Sequence, residues 1–305
     1  MIITPVLEVD AVTKYYGSFL AISDVHFMIS KGEVVGLVGL NGAGKTTIIN
    51  SILGFLRTSK GKIRLFGNLI NPENAHRVHS KIGFATGDMS LFANLTGKQY
   101  FNFIKRAYKL KDDKKLNELC KQFNPELNKK IRNLSRGNKQ KIALIAAFMS
   151  SPELVILDEP SSGLDPLMQQ KFLELINKEG SKGTTIFMSS HYLKEVADVC
   201  SRVIFIRDGK LVKDIPRAEL ESGHGKAVKV LTSNAIKPPM QSVMIGHRKT
   251  TNGYELSFIF KDTPIKLQKW LVGLPHLIDF TIEDHDIESA FSDLYAKNKE
   301  EVLGV

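Results

Sequence analysis

Residues 34–47 read Val34-Val35-Gly36-Leu37-Val38-Gly39-Leu40-Asn41-Gly42-Ala43-Gly44-Lys45-Thr46-Thr47, an apolar run that breaks into a glycine-rich loop. Gly39, Gly44, Lys45 and Thr46 satisfy G-x-x-x-x-G-K-[ST], and the strand that this motif needs lies just ahead of it. The pattern leaves few geometries open. A β-strand must deliver the loop, and a helix must start near Lys45 so that its N-terminal amides and dipole face one point. Gly42 and Gly44 can take backbone angles closed to residues with a Cβ, so successive N–H groups line one concave nest. In such a cradle Lys45 reaches the β- and γ-phosphates of a nucleoside triphosphate and the Thr46 hydroxyl holds Mg²⁺. Leu40, Asn41, Ala43 and Thr47 complete the loop. The competing reading, a plain glycine-rich turn from strand to helix, is disfavoured by this context.

Leu154-Val155-Ile156-Leu157-Asp158-Glu159 is a second diagnostic run, four apolar residues closed by two carboxylates. A strand of this kind is buried on both faces, as in a parallel sheet. It delivers Asp158 to the Mg²⁺ shell beside Thr46. Glu159, one residue on, is placed to polarise a water for in-line attack on a γ-phosphate.

Composition excludes several classes. The 305 residues, 43% of them hydrophobic, suffice for one large α/β domain and a smaller one. No stretch approaches the roughly 18 apolar residues of a membrane span, and residues 1–10 do not resemble a signal peptide. Cys120 and Cys200 lack metal-type spacing and read as two buried free thiols of a reducing compartment. The net charge is +10, with many cations between Lys98 and Lys141, including Lys105, Arg106, Lys109, Lys111, Lys114 and Lys115. That face could meet nucleic acid or anionic lipid, or be the solvated side of surface helices.

Along the chain, Leu7 to Val12 and Ile22 to Ile29 read as paired strands, and Lys62 to Phe66 as another. The helix after the loop is expected to run on to Leu56. Between Met89 and Met149 the periodicity turns helical, with Tyr100, Phe103, Ile104 and Ala107 on one face. Ile142 to Met149 is apolar all round, the mark of a buried helix. Met168, Phe172, Leu175 and Ile176 form the apolar stripe of the helix after Glu159, and Thr184 to Met188 is a strand. Val203–Ile206 and Leu211–Ile215 form a hairpin about Asp208-Gly209. A short helix over Pro216 to Glu221 closes this part, with Ser222 to Gly225 as a linker. Beyond it, strands are expected near Val228–Leu231, Val243–Ile245 and Tyr254–Phe260. Helices are expected near Ile265–Leu271 and Ile287–Leu294.

Taken together, the chain resembles the nucleotide-binding subunits of ATP-binding-cassette (ABC) transporters. Leu134-Ser135-Arg136-Gly137-Asn138 is similar to that family's signature loop, usually Leu-Ser-Gly-Gly-Gln, and it stands just before the Asp158-Glu159 strand, the family's Walker B. The resemblance covers residues 5 to 221. It implies an α/β fold, a P-loop NTPase ABC-type cassette with a mainly parallel core sheet, an antiparallel β subdomain and a helical insertion at about 89–149. A small α+β C-terminal domain would follow over 226–305. It implies ATP and Mg²⁺ as ligands and two cassettes closing around two nucleotides. Ser135, Arg136, Gly137 and Asn138 would then face the γ-phosphate held by the partner's loop. Asp165, in Ser162-Gly163-Leu164-Asp165, matches the D-loop that aligns the two sites. His191 matches the switch histidine, a catalytic role shared with Glu159 and Lys45. Tyr16 matches the aromatic that stacks on adenine, with Tyr15 or a merely structural tyrosine as the alternatives.

Two departures stand out. Many members carry Gln after Ile-Gly-aromatic-x-Pro, where it links Mg²⁺ and water to the membrane partner; here Ile82-Gly83-Phe84-Ala85-Thr86 leads to Gly87-Asp88, and Asp88 is the candidate metal ligand in its place. Arg136 and Asn138 replace Gly and Gln, and the Arg136 guanidinium adds a cationic contact or faces the partner. The expected function is the ATP-hydrolysing subunit of an exporter. It would form a homodimer or pseudo-dimer, held peripherally on the cytoplasmic side of the membrane by a separate integral permease. A soluble cassette ATPase acting on nucleic acid or ribosomes is the alternative. One cassette and no sustained heptads argue against it.

Overall fold

Three strands with no exposed residue at their centres organise the larger part of the protein. The computed structural model describes residues 5–87, 91–222 and 225–285. It divides into two compact units, Met1–Pro216 and Arg217 onward.

In the first unit, β1 (Pro5–Tyr16), β2 (Phe19–Ser30), β4 (Lys60–Leu65) and β5 (Asn68–Leu69) form an antiparallel sheet in the order β2-β1-β4-β5. β1 and β2 run longer than the apolar runs suggest because their tips, at Tyr15, Tyr16 and Phe19, are exposed and carry no alternation. A six-stranded sheet has the order β10-β9-β3-β8-β7-β6. It contains β3 (Val34–Val38), β6 (Ile82–Thr86), β7 (Leu154–Asp158), β8 (Thr185–Ser190), β9 (Arg202–Arg207) and β10 (Lys210–Pro216). All its pairings are parallel except β9 with β10. Leu154, Val155, Ile156 and Leu157 are each 0% exposed, and burying such side chains contributes about 1.5–3 kcal/mol apiece.

Helix α1 (Lys45–Ile52) packs Ile48, Ile49 and Ile52 into the core. It stops short of Leu56 because Gly54, at φ +71°, leaves the helical region. The insertion holds α2 (Gly97–Ala107), α3 (Lys114–Phe123) and the start of α4 (Arg136–Phe148). Here the expected face of α2 is corrected: Tyr100 and Phe101 are buried, whereas Phe103 is 48% exposed and Ala107 is exposed. Phe103 instead packs edge-on to Phe92, with ring centroids 5.2 Å apart. Helix α5 (Pro166–Ser181) buries Met168, Phe172, Leu175 and Ile176, and α6 (Leu193–Val199) follows β8.

The second unit begins with α7 (Arg217–Ser222), so this helix does not close the first unit. An antiparallel sheet in the order β12-β13-β11-β14 follows. Its strands are β11 (Gly225–Thr232), β12 (Ser242–Thr250), β13 (Gly253–Phe260) and β14 (Leu277–His285), and α8 (Pro264–Val272) packs on it through Leu267 and Leu271. Strand β14 was not expected. The helix expected at 287–294 lies outside the described residues.

Candidate active site

Parallel register brings the chemistry to one edge of the large sheet. Val38 stands opposite Ser190, and Asp158 opposite Ser189, so β3, β7 and β8 end level with one another. Ligands of open α/β sheets bind beyond such carboxyl ends. The loop after β3, the Asp158-Glu159 pair and His191 therefore meet there.

The loop after β3 is built to face an anion. Gly42 (φ +84°) and Gly44 (φ +105°) hold left-handed angles, and a Cβ on Gly44 would stand 2.7 Å from Ile22 Cγ2. Gly44 caps α1 without any side-chain acceptor, which leaves the first helical amides to a ligand. Lys45 is buried, and its Nζ donates to Gly39 O at 2.6 Å and Leu40 O at 3.1 Å. Thr46 lies exposed in the first turn of α1 and Thr47 is half-buried.

Glu159 is the hub. Its backbone sits at φ +50°, a strained angle for a side chain with a Cβ. Its N–H donates to Ser189 O at 3.3 Å and to Ser189 Oγ at 3.1 Å. His191 Nδ1 lies 2.6 Å from Glu159 Oε2, and Lys45 Nζ lies 3.0 Å from Oε1. The Oε1 contact is ionic only: that buried oxygen meets no donor at hydrogen-bonding angles, so it retains a lone pair for a water proton. Asp158 is buried beside it and accepts from Ser189 Oγ at 2.6 Å through Oδ1. Among the described residues no group of three or more His, Cys, Asp or Glu gathers around a metal position. A hydroxyl and one carboxylate suit Mg²⁺ when phosphate oxygens supply other ligands. Asp88 lies outside the described residues.

The signature segment forms the start of α4. Ser135 caps the helix, accepting from Asn138 N at 3.3 Å and Asn138 Nδ2 at 3.2 Å. Asn138 Oδ1 is itself held by Glu126 N at 3.1 Å. With two donors already on Ser135 Oγ, its own proton is free to turn toward an outside acceptor. Gly137 lies against Gly163 O, the nearest atom a Cβ there would meet. Arg136 donates to Ser162 Oγ in its own chain at 2.7 Å, a contact the sequence did not disclose. Asp165 caps α5 by accepting from Met168 N at 3.0 Å. Tyr16 and Tyr15 are both exposed at the tip of β1, so neither is a core tyrosine.

Sequence reasoning missed three supporting residues. Ser189 ties Asp158 to the Glu159 backbone; the signal was two small polar residues ending an apolar strand. Gln140 is buried and donates to Pro160 O at 2.7 Å. Glu195 accepts from Ser190 Oγ at 2.6 Å. Burial pushes its carboxyl above the usual range, opposed by the Ser190 and Ser161 hydroxyls and aided by the charge of Glu159.

The basic cluster is partly spent inside the protein. Lys115 pairs with Glu179 at 2.5 Å, joining α3 to α5, and Lys105 pairs with Asp113. Cys200 is buried and Cys120 half-buried, and neither is in a disulfide. No helix among the described residues is long and apolar enough to cross a membrane.

Comparison with known proteins shows the family. Residues 22–162 match the family described as ABC transporter. The chain is 30% identical over 292 residues to the uncharacterized ABC transporter ATP-binding protein YhaQ of Bacillus subtilis, covering 93% of this chain and 97% of that one. It is 33% identical over 231 residues to the bacitracin transport ATP-binding protein BcrA of Enterococcus faecalis, 74% of each. The linearmycin resistance ATP-binding protein LnrL of Bacillus subtilis shares 33% over 211 residues, 68% of each. A solved ATP-binding subunit of an ABC transporter superimposes with a TM-score of 0.63 at 30% identity, over 71% of this chain and 92% of that one. A dimeric cassette bound to ADP and phosphate, 22% identical, has the same fold at a TM-score of 0.64, over 69% of this chain and 98% of that one. The chain belongs to the ABC transporter family, as an ATP-binding and ATP-hydrolysing subunit.

Proposed function

We propose that two copies of this protein close around two Mg-ATP molecules and power a separate membrane permease that exports its substrate. The observation that carries this reading is the presence on one chain of two helix starts with donor capacity left over, at Gly44 and at Ser135. The start of α1 serves the chain's own nucleotide. The start of α4, with its Ser135 hydroxyl proton available, serves the nucleotide of a second copy.

Each residue at the sheet edge then has a task. Lys45 trades Glu159 and two carbonyl oxygens for phosphate oxygens and neutralises charge that builds during transfer. Thr46 Oγ1 and Asp158 would hold Mg²⁺, which supplies further charge neutralisation on the phosphates. Glu159 accepts a proton from the attacking water as its oxygen bonds to the γ-phosphorus and the bond to the ADP oxygen breaks. His191 holds the Glu159 carboxylate through Nδ1 and helps position the attacking water beside the γ-phosphate. Tyr16 stacks on adenine, and Asp165 orders the turn that reaches the second copy.

A permease partner is supported by a cleft of about 200 Å³ between the core sheet and α2. Phe55, Phe84, Tyr100 and Ile104 line it beside His79 and Tyr108, and Phe55 is 55% exposed. Such a groove suits an amphipathic helical segment of another protein. Export is supported by the kinship with the bacitracin-transport and linearmycin-resistance subunits. The test is a pull-down of tagged Glu159→Gln from detergent-solubilised membranes with Mg-ATP. A stoichiometric multi-span membrane protein is expected. Ribosomes or nucleic acid without such a protein would overturn the reading.

A further inference from the structure

The signature loop and the D-loop are joined within one chain, by a residue at which this sequence departs from its family. Arg136, the first residue of α4, donates from Nη2 to Ser162 Oγ at 2.7 Å. Its stem lies flat on the turn beyond: Cγ, Cδ and Nε are 3.0–3.1 Å from where a Cβ on Gly163 would stand. One helical turn further, Gln140 donates to Pro160 O at 2.7 Å. Residues four apart share a helix face, so α4 grips residues 160–163 at two successive points. Gln140 is the buried anchor and Arg136 the exposed one.

Ser162 is also gripped from behind, at the second departure. A Cβ on Gly87 would lie 3.1 Å from Ser162 Cβ and 2.8 Å from Glu159 O. Gly87 N donates to Asp158 O at 2.8 Å. The segment leaving β6 thus presses directly on the turn, with no room for a larger residue at that point. The far end of the turn is equally fixed, since Asp165 caps α5 and Leu164 is buried.

We propose that Arg136 is a positioning residue acting in its own chain, a strut that makes the signature loop and the D-loop move as one body, rather than a ligand of the second copy's phosphate. The proposal rests on the two-copy reading above. A rigid link means that displacement of the segment after β6 reaches Ser162 and, through Arg136, the start of α4.

The test is a double-mutant cycle in the full-length chain, with Arg136→Gly, Ser162→Ala, the pair together, and Arg136→Lys. Steady-state ATPase rates are measured alongside ATP affinity of the separate chains. Each single change is expected to lower kcat about tenfold, the scale of one hydrogen bond from a charged donor, with ATP affinity within about twofold of wild type. The double variant should be no slower than the slower single. Arg136→Lys should recover most of the rate, since one donor suffices. Losses that multiply in the double variant, or a silent Ser162→Ala beside a slow Arg136→Gly, would overturn the strut and leave a phosphate contact across the dimer. Failure of the two-copy reading shows separately, as the absence of ATP-driven association in Glu159→Gln.

Discussion

Lys45 Nζ lies 3.0 Å from Glu159 Oε1, and His191 Nδ1 lies 2.6 Å from the other oxygen of the same carboxylate. In the proposed mechanism Lys45 binds phosphate and Glu159 activates water, and phosphate binding breaks the ion pair between them. Both side chains are largely withdrawn from water, Lys45 at 6% and Glu159 at 22% side-chain exposure, so the exchange is felt in affinity as well as in rate.

Glu159→Gln keeps the shape and removes the charge that competes for Lys45. We expect turnover to fall by about a hundredfold or more, from loss of the general base. ATP should bind at least as tightly as to wild type. Single-turnover hydrolysis and a fluorescent-nucleotide titration separate the two effects. A normal rate would remove Glu159 from the mechanism.

Lys45→Ala takes away the cation and leaves Gly39 O, Leu40 O and Glu159 without it. ATP affinity should fall by about tenfold or more, because charge-assisted hydrogen bonds to phosphate are lost. Calorimetric titration gives the affinity directly, and an unchanged value would contradict the phosphate-loop geometry.

Ser189→Ala tests a residue that no motif marks. Its hydroxyl donates to Asp158 and accepts from the Glu159 amide. Removing it should cost about 1–2 kcal/mol of stability and raise the Mg²⁺ concentration needed for half-maximal activity. An activity curve against Mg²⁺ identical to that of wild type would show that Asp158 needs no such support.

Legibility in the sequence followed the chemistry. Gly39 to Thr47 and Leu154 to Glu159 could be read because each has a fixed local pattern and one spatial consequence. The Arg136–Ser162 bond could not be read, since it joins residues 26 positions apart whose approach depends on how α4 packs. Strand β14 carries Ile278, Phe280 and Ile282 in alternation, but at the sheet edge these are 51%, 49% and 39% exposed. Its pattern lacked the buried, fully apolar character that marked β7. On α2 the helical period was right and the buried face was shifted, because Phe103 packs on Phe92 at the surface. Aromatic periodicity alone does not distinguish core from an exposed apolar edge.

Glu195 gives a pH signature. Burial holds its carboxyl above the ordinary range, so the folded chain binds that proton more tightly than the unfolded chain. The contribution of this group to stability is full below the unfolded value, about pH 4, and is lost as pH rises through the folded value. Glu195→Gln cannot ionise. Relative to wild type it should therefore gain melting temperature as pH rises above about pH 4, until the folded carboxyl itself ionises. A difference that stays constant across that range would contradict the assignment.

Tyr16 and Tyr15 are separable by substitution. Stacking of a base on an aromatic ring is worth about 1–3 kcal/mol, so Tyr16→Ala should weaken ATP binding about tenfold and Tyr15→Ala much less. The reverse order would move the adenine to Tyr15.

In the two-copy reading, Ser135 completes the ATP site of a second copy. Light scattering on Glu159→Gln, with and without saturating Mg-ATP, tests it most directly when Ser135→Ala is measured in the same background. ATP is expected to double the mass of Glu159→Gln, and adding Ser135→Ala to prevent this while leaving nucleotide binding to the single chain intact. A protein that binds ATP yet keeps the mass of one chain, or a dimer indifferent to Ser135, would contradict it.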